Sequence, residues 1–173
     1  MKPAATPTEL AIIALGSNQG DSPALFRSAL DRMQELAAGP LRFSGFWATT
    51  PVDCPPGSPP FLNAVAVFPP RPETTPASLL RQLQALEREF GRRPKLVLNE
   101  PRPLDLDLIV FGDQQSGTPE LILPHPRAHE RRFVLQPLAE LLPDLRLPGQ
   151  TATVAELLAM LPPDPAMRRR EGP

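Results

Sequence analysis

Tyrosine is absent from the 173 residues, and tryptophan and cysteine occur once each. A lone cysteine, Cys54, excludes an intramolecular disulfide and a cysteine-rich zinc site. Lysine is nearly absent as well: Lys2 and Lys95 are the only two, so the other sixteen of the eighteen basic residues are arginine. Those eighteen stand against nineteen acidic residues, a formal net charge of −1. That balance argues against a general nucleic-acid binder, which carries a basic excess. No apolar run approaches the roughly 18 residues of a membrane span, and no secretory signal is expected, because Met1 to Glu9 holds no apolar segment. The expectation is one soluble, cytoplasmic, monomeric domain over residues 9–161, with loose tails at 1–8 and 162–173. At 41% apolar, the chain can bury a core. What is abundant is proline, 26 residues, a bias that, with alanine and arginine, we read as base composition.

Apolar periodicity and turn residues outline the elements. Leu10 to Leu15 is a short apolar run ending at Gly16, suited to a buried strand. Asp21-Ser22-Pro23 opens a helix with a capping side chain and an early proline, and Leu25, Phe26, Ala29, Leu30 and Met33 follow at helical spacing. Leu41 to Thr50 fits one strand with Leu41, Phe43, Gly45 and Trp47 on a single face. Thr50 to Pro60 is a proline-rich loop, and Phe61 to Phe68 is another strand. Thr75-Pro76 opens a second helix that Gly91 closes. Arg92 to Pro103 is a polar, basic loop, and Leu104 to Phe111 is the next strand. The order β-α-β-β-α-β is the ferredoxin-like α+β arrangement, an antiparallel sheet with both helices on one face. A C-terminal helical extension follows: a short strand over Leu121–Leu123, a helix over Arg131–Leu142, and a helix over Thr153–Leu161 opened by the capping box Thr153/Glu156.

The sharpest local signal is Leu104-Asp105-Leu106-Asp107-Leu108. Side chains alternate along a strand, so Asp105 and Asp107 share one face, their Cα atoms about 6.5–7 Å apart. Carboxylates so placed can share one Mg²⁺ or bracket two ions about 3.5–4 Å apart; the same pattern also suits a solvated acidic strand face. Arg92, Arg93, Lys95 and Arg102 lie upstream, and His125, Arg127, His129, Arg131 and Arg132 downstream. Acids between two basic clusters suit a metal-bound polyphosphate. Gly16-Ser17-Asn18-Gln19-Gly20-Asp21 lacks the spacing of a phosphate loop and reads as a structural turn, with Asn18 buttressing a site loop. Pro124 and Pro126 flank His125, which argues against a helical zinc pair with His129 and for a phosphate or ribose contact. Cys54, without a basic neighbour, is read as an incidental thiol.

Taken in order, Leu15-Gly16-Ser17-Asn18, Thr50-Pro51, Phe61-Leu62-Asn63-Ala64, Glu87 with Gly91-Arg92, Pro101-Arg102-Pro103-Leu104-Asp105-Leu106-Asp107, Leu123-Pro124-His125-Pro126-Arg127 and Glu130-Arg131-Arg132-Phe133 resemble the 6-hydroxymethyl-7,8-dihydropterin pyrophosphokinases of folate biosynthesis. The resemblance runs through roughly residues 9–160. It implies the ferredoxin-like fold and transfer of the β,γ-diphosphate of ATP to the pterin hydroxymethyl group, giving AMP and the pterin diphosphate. It further implies two Mg²⁺ on Asp105 and Asp107, and contacts to ATP phosphates or ribose from Arg92, Arg102, His125 and Arg131, with Arg92 and Arg102 counted with the acid pair as catalytic. Gln84, Glu87 and Leu108 fall in the nucleotide pocket. Phe61 and Phe133 match the aromatic pair that sandwiches the pterin, and Asn63, with Thr50, Pro51 and Val52, matches the group that reads the pterin edge. The chain departs from the family at Pro94, where a second arginine often follows Arg92, and at Asn99, where an aromatic sometimes stands. The alternative is a non-catalytic ferredoxin-like module that binds RNA or another ligand, which would place aromatics on the central strands and carry a basic excess.

Overall fold

A computed structural model describes residues 10–50, 56, 57, 59–92 and 103–171. The first seven elements are β1 (Ala11–Ser17), α1 (Ser22–Gln34), β2 (Arg42–Phe43), β3 (Phe46–Thr49), β4 (Phe61–Phe68), α2 (Pro76–Glu89) and β5 (Asp105–Phe111). They follow the expected order, with the second strand split in two. The remainder holds the hairpin β6 (Ser116–Thr118) and β7 (Leu121–Leu123), helices α3 (Arg132–Leu141) and α4 (Val154–Met160), and a last strand β8 (Arg168–Glu171). The main sheet runs β5-β1-β4-β3-β8, with β2 also on β4, and every pairing is antiparallel.

The helix starts form where the capping residues stand. Asp21 accepts the Ala24 N–H at 3.2 Å, Thr75 and Ser78 exchange side-chain and backbone bonds in a capping box, and Thr153 and Glu156 do the same. On one face of the sheet α1 and α2 pack Phe26, Met33, Leu79 and Leu83 against Ile13, Leu15, Ala64, Phe68 and Leu106. The C-terminal segment does more than extend the fold. Helices α3 and α4 cover the opposite face, where Val134, Leu135, Leu138, Val154 and Leu157 pack on Ile12, Ala14, Val65, Val67 and Ile109. Three layers result, and the central strands are buried on both sides. That is why β1 and β4 read as nearly continuous apolar runs rather than as alternation.

Two expectations are corrected. Residues 41–50 do not form one uniform strand. The register passes from Phe43 opposite Ala66 to Trp47 opposite Asn63, which leaves one extra residue at Ser44-Gly45, a β-bulge. Ser44 is buried there, its N–H donating to the Val65 carbonyl and its hydroxyl accepting the Val65 N–H, each at 2.9 Å. The bulge turns Phe46 into the α1/α2 core beside Phe43, so Trp47 no longer shares a face with Phe43. The second correction concerns the C-terminus. Residues 168–171, expected in a loose tail, pair with β3 as an edge strand, Arg169 opposite Trp47. Backbone pairing needs no apolar side chain, so three consecutive arginines gave no strand signal.

Leu135 is fully buried on the second face. Leu135→Ala should cost about 2–5 kcal/mol in urea unfolding while the transition stays single. A separate early transition would mean that α3 and α4 fold apart from the sheet.

Candidate active site

Antiparallel register places the functional side chains in rows. On β5, a bulge at Ile109 follows Leu108, since Ile13 pairs with Leu108 and Ile12 with Val110. Before the bulge Leu106 and Leu108 enter the α1/α2 core, so Asp105 and Asp107 face the other side. Across the sheet Asp105 lies opposite Gly16, Gly16 opposite Asn63, and Asn63 opposite Trp47. One row further in, Asp107 is level with Ala14 and Val65. The apolar layer under α3 and α4 reaches Ala14 and Val65 and stops there. Beyond it the same face turns polar, and Phe61, opposite Thr49, ends it. Phe133, in the first turn of α3, packs against this layer from above.

Gly16 shapes the gap between the two halves. A Cβ there would lie 3.4 Å from Oδ1 of Asn63 and 3.8 Å from Cβ of Asp105, so the missing side chain leaves a trough between amide and carboxylate. Asn63 Nδ2 donates to Thr49 Oγ1 at 2.7 Å, both residues being buried. Thr50, expected to offer a backbone contact to the pterin edge, is exposed. The sign that could have found Thr49 is its phase: it alternates with Trp47 and so shares a face with Asn63.

The end of α2 delivers a cation to the acid pair. Gly91 takes φ +98°, its N–H donates to the Arg88 carbonyl at 3.1 Å, and the Arg92 N–H donates to the Glu87 carbonyl at 2.9 Å. This is a Schellman motif, and the left-handed residue it needs is glycine. Arg92 Nη1 then bridges Glu87 Oε1 at 2.9 Å and Asp105 Oδ1 at 2.5 Å. Glu87 is buried, and the same Oε1 accepts the Leu106 N–H at 2.7 Å. Burial outweighs these donors and pushes the Glu87 carboxyl up to about 7. Both donors use Oε1, so Oε2 can carry the proton without breaking either bond. Glu87 thus organises the acid pair and Arg92, a part the sequence alone did not assign to it.

The basic cluster sits nearby. His125 N–H donates to the Ile109 carbonyl at the β5 bulge, and its Nδ1 accepts the Arg127 N–H at 3.3 Å, which leaves Nε2–H as a donor. Burial, then Arg131 and Arg127, lower the imidazole below its ordinary value, so it is neutral at pH 7. Burial and then Arg127 also lower the Arg131 guanidinium, while Asp107 and Asp105 act the other way. Arg131 lies 5.4 Å from the centre of the Phe133 ring. The structure therefore gathers Asp105, Asp107, Arg92, Glu87, His125 and Arg131, and sets Asn63, Phe61 and Phe133 on the same side of the sheet.

Other expected residues fall elsewhere. Leu108 points into the α1/α2 core, because alternation places it opposite the acid pair, and only its backbone remains for a ligand. Arg132 serves the fold: its guanidinium donates to the carbonyls of Leu158, Leu161 and Pro162 at the end of α4. Gln84 is exposed on α2, one turn before Glu87. Asn18 Nδ2 reaches the Pro59 carbonyl at 3.5 Å, in keeping with a buttress for the loop over 50–60. Pro51, Val52, Cys54, Arg93, Pro94, Lys95, Asn99 and Arg102 lie outside the described residues. Among the described residues no three of His, Cys, Asp or Glu gather as a metal site. Two carboxylates on one strand suit a cation whose other oxygens come from substrate and water.

Residues 12–143 match the family described as 7,8-dihydro-6-hydroxymethylpterin-pyrophosphokinase (HPPK). The chain is 40% identical over 151 residues to the 2-amino-4-hydroxy-6-hydroxymethyldihydropteridine pyrophosphokinase of Pseudomonas aeruginosa, covering 87% of this chain and 90% of that one. The enzyme of the same name from Bacillus subtilis is 38% identical over 133 residues, 76% of this chain and 77% of its own. Among solved structures, wild-type HPPK-DHPS of Plasmodium falciparum with pteroate superposes on 87% of the chain with a TM-score of 0.68 at 14% identity. This chain spans 42% of that longer one, and the likeness there is one of fold.

Glu87 supplies a pH test. Its folded value, about 7, lies above the ordinary 4.5, so the proton it holds stabilises the fold fully below the lower value and ceases to do so as the pH rises through the higher one. Glu87→Gln keeps an acceptor for Leu106 and Arg92 but has no proton to lose. In thermal melts from about pH 5 to about pH 8, wild type should lose stability relative to the variant. A constant difference would mean that Glu87 is ionised throughout.

Proposed function

The chain belongs to the 7,8-dihydro-6-hydroxymethylpterin-pyrophosphokinase family, and from that membership we infer that it moves the β,γ-diphosphate of ATP onto the hydroxymethyl group of 6-hydroxymethyl-7,8-dihydropterin. It is a transferase, a pyrophosphokinase of folate biosynthesis. The observation that carries the reading is the row Asp105–Gly16–Asn63: a carboxylate site for a metal-bound polyphosphate and an amide for a heterocycle, either side of a trough that a Cβ would fill.

The donor set fits Mg²⁺. Asp105 and Asp107 are hard oxygen ligands on one face of one strand, half-buried, with cationic groups around them. Mg²⁺ ions held there, two in number, would neutralise charge on the phosphate oxygens. Arg131 and Nε2–H of His125 bind non-bridging oxygens, joined by Arg92 and Arg102. Gln84, Glu87 and the backbone at Leu108 border the nucleotide. Phe61 and Phe133 stack on the pterin from its two faces, and Asn63, held by Thr49, reads its amide-like edge with backbone groups near Thr50, Pro51 and Val52. The hydroxymethyl oxygen attacks the β-phosphorus, the bond to the α,β-bridging oxygen breaks, and AMP leaves with that oxygen. Such a transfer is loose, so positioning and charge neutralisation do most of the work and no strong base is needed.

The product is AMP rather than ADP, and Asp105→Ala or Asp107→Ala should each lower single-turnover AMP formation at least about 10²-fold. The double variant should lose far less than the product of the two effects, since the residues act as a unit. Steady ADP release, or a folded double variant with normal turnover, would overturn the reading.

Phe61→Ala should weaken pterin binding by about 1–3 kcal/mol, by analogy with base–aromatic stacking, and leave an ATP analogue unaffected in calorimetry. The reverse pattern would make the ring part of the fold and not of the slot.

A further inference from the structure

Away from the acid pair, four segments meet at one carboxylate. Glu140, in the last turn of α3, accepts the Gly45 N–H at 3.0 Å on Oε2 and the Trp47 indole N–H at 2.6 Å on Oε1. Nη2 of Arg169, on β8, lies 3.4 Å from the same Oε2. The side chain is 27% exposed, so the ion pair itself is weak; the two N–H donors are charge-assisted bonds of fixed direction. Gly45 belongs to the bulge between β2 and β3, and a Cβ there would collide with the Arg169 guanidinium. The join therefore rests on the bulge that aims the Gly45 N–H and on the C-terminal strand whose flexible Arg169 side chain closes over it.

The same helix is tied at its other end. Arg132 donates to the carbonyls of Leu161 and Pro162, each at 3.0 Å. Phe133 is its neighbour, and Glu140 lies two helical turns beyond Phe133, on the same side of α3. Trp47 stands in the row of Asn63, and Thr49, two residues on, both holds Asn63 and faces Phe61. Glu140 thus links the helix that carries one ring of the slot to the strand beside the other ring.

We propose that Glu140 is a positioning residue for the pterin: by tying the end of α3 to Gly45 and Trp47, it sets the separation of Phe133 from Phe61 and Asn63. This rests on the reading of Phe61 and Phe133 as the pterin slot. Stacking is sensitive to such a setting, because a gap of about 0.5–1 Å already forfeits a quarter to a half of the contact attraction. Arg131 stands at the same helix end, but a long guanidinium follows a shift of that size and a stacked ring does not. Loss of the join should therefore be felt by pterin and not by ATP.

The test is calorimetric titration of the full chain with the pterin and, separately, with a non-hydrolysable ATP analogue and Mg²⁺, for Glu140→Ala, Glu140→Gln, Trp47→Phe and Phe133→Ala. Glu140→Ala should raise the pterin Kd about tenfold, the scale of one charge-assisted hydrogen bond, with the ATP analogue unchanged. Glu140→Gln keeps one of the two acceptor oxygens and should fall between. Trp47→Phe keeps the ring but removes its N–H, and should weaken pterin in the same direction. It carries the test if Glu140→Ala does not fold. Trp47 is the only tryptophan and tyrosine is absent, so its emission reports the join directly and should shift in Glu140→Ala. Normal pterin binding in both Glu140→Ala and Trp47→Phe, while Phe133→Ala weakens it, overturns the proposal alone. Equal loss of pterin and ATP analogue also overturns it, because the carboxylate would then only hold the fold. Normal pterin binding in Phe133→Ala removes the slot, and the proposal with it.

Discussion

Everything at the site depends on β1 being paired on both sides, with β4 on one and β5 on the other. That double antiparallel register sets Asp105, Gly16 and Asn63 side by side. It also decides which face each side chain takes, because a slip of one residue would turn Asp105 and Asp107 into the α1/α2 core. The slip is prevented by burial: β1 has apolar partners on both faces, so every residue from Ala11 to Leu15 is committed. The two helical layers are thus the means by which two carboxylates and an amide keep their spacing.

Charge then follows from position. Asp105 and Asp107 lie on one strand face and repel one another, and the protein answers with Arg92, brought in by the glycine-closed end of α2. Arg92 is itself held by Glu87, whose burial leaves it only weakly acidic. On the other flank burial makes His125 and Arg131 each less basic, with Arg131 and Arg127 adding to it at His125 and Arg127 at Arg131. A polyanion with its cations, seated between the carboxylates and the guanidinium groups, would interact with both flanks at once.

Much of this was legible in the order of residues. The caps at Asp21, Thr75 and Thr153 mark three helix starts, and the alternation Leu-Asp-Leu-Asp-Leu was enough to put the acid pair on one face. What was hidden depends on tertiary contact. A bulge adds a residue without altering composition, so Trp47 is expected on the face of Phe43 and the bulge turns it to the other. β8 is three arginines and a glutamate, whose strand pairing is carried by the backbone. Glu87 looks like any helical glutamate until Leu106 and Arg92 close over it. Thr49 and Thr50 are neighbours of one type, and the strand phase that sets Thr49 on the face of Asn63 tells them apart.

Among the described residues the sheet has β5 and β8 as its outer strands, and they are closed off in different ways. At β5 the segment after β7 lies alongside, with His125 N–H bonded to the Ile109 carbonyl. At the far side β8 is outermost, and Arg168, Arg169 and Arg170 are all exposed on it. An open strand edge invites another strand, and natural sheets deter this with charge. Two copies of this chain approaching edge to edge would bring two rows of guanidinium groups together. The strand that completes the sheet thus also guards it against extension into a ribbon of its own kind, a protection independent of the chemistry at the opposite end of the row.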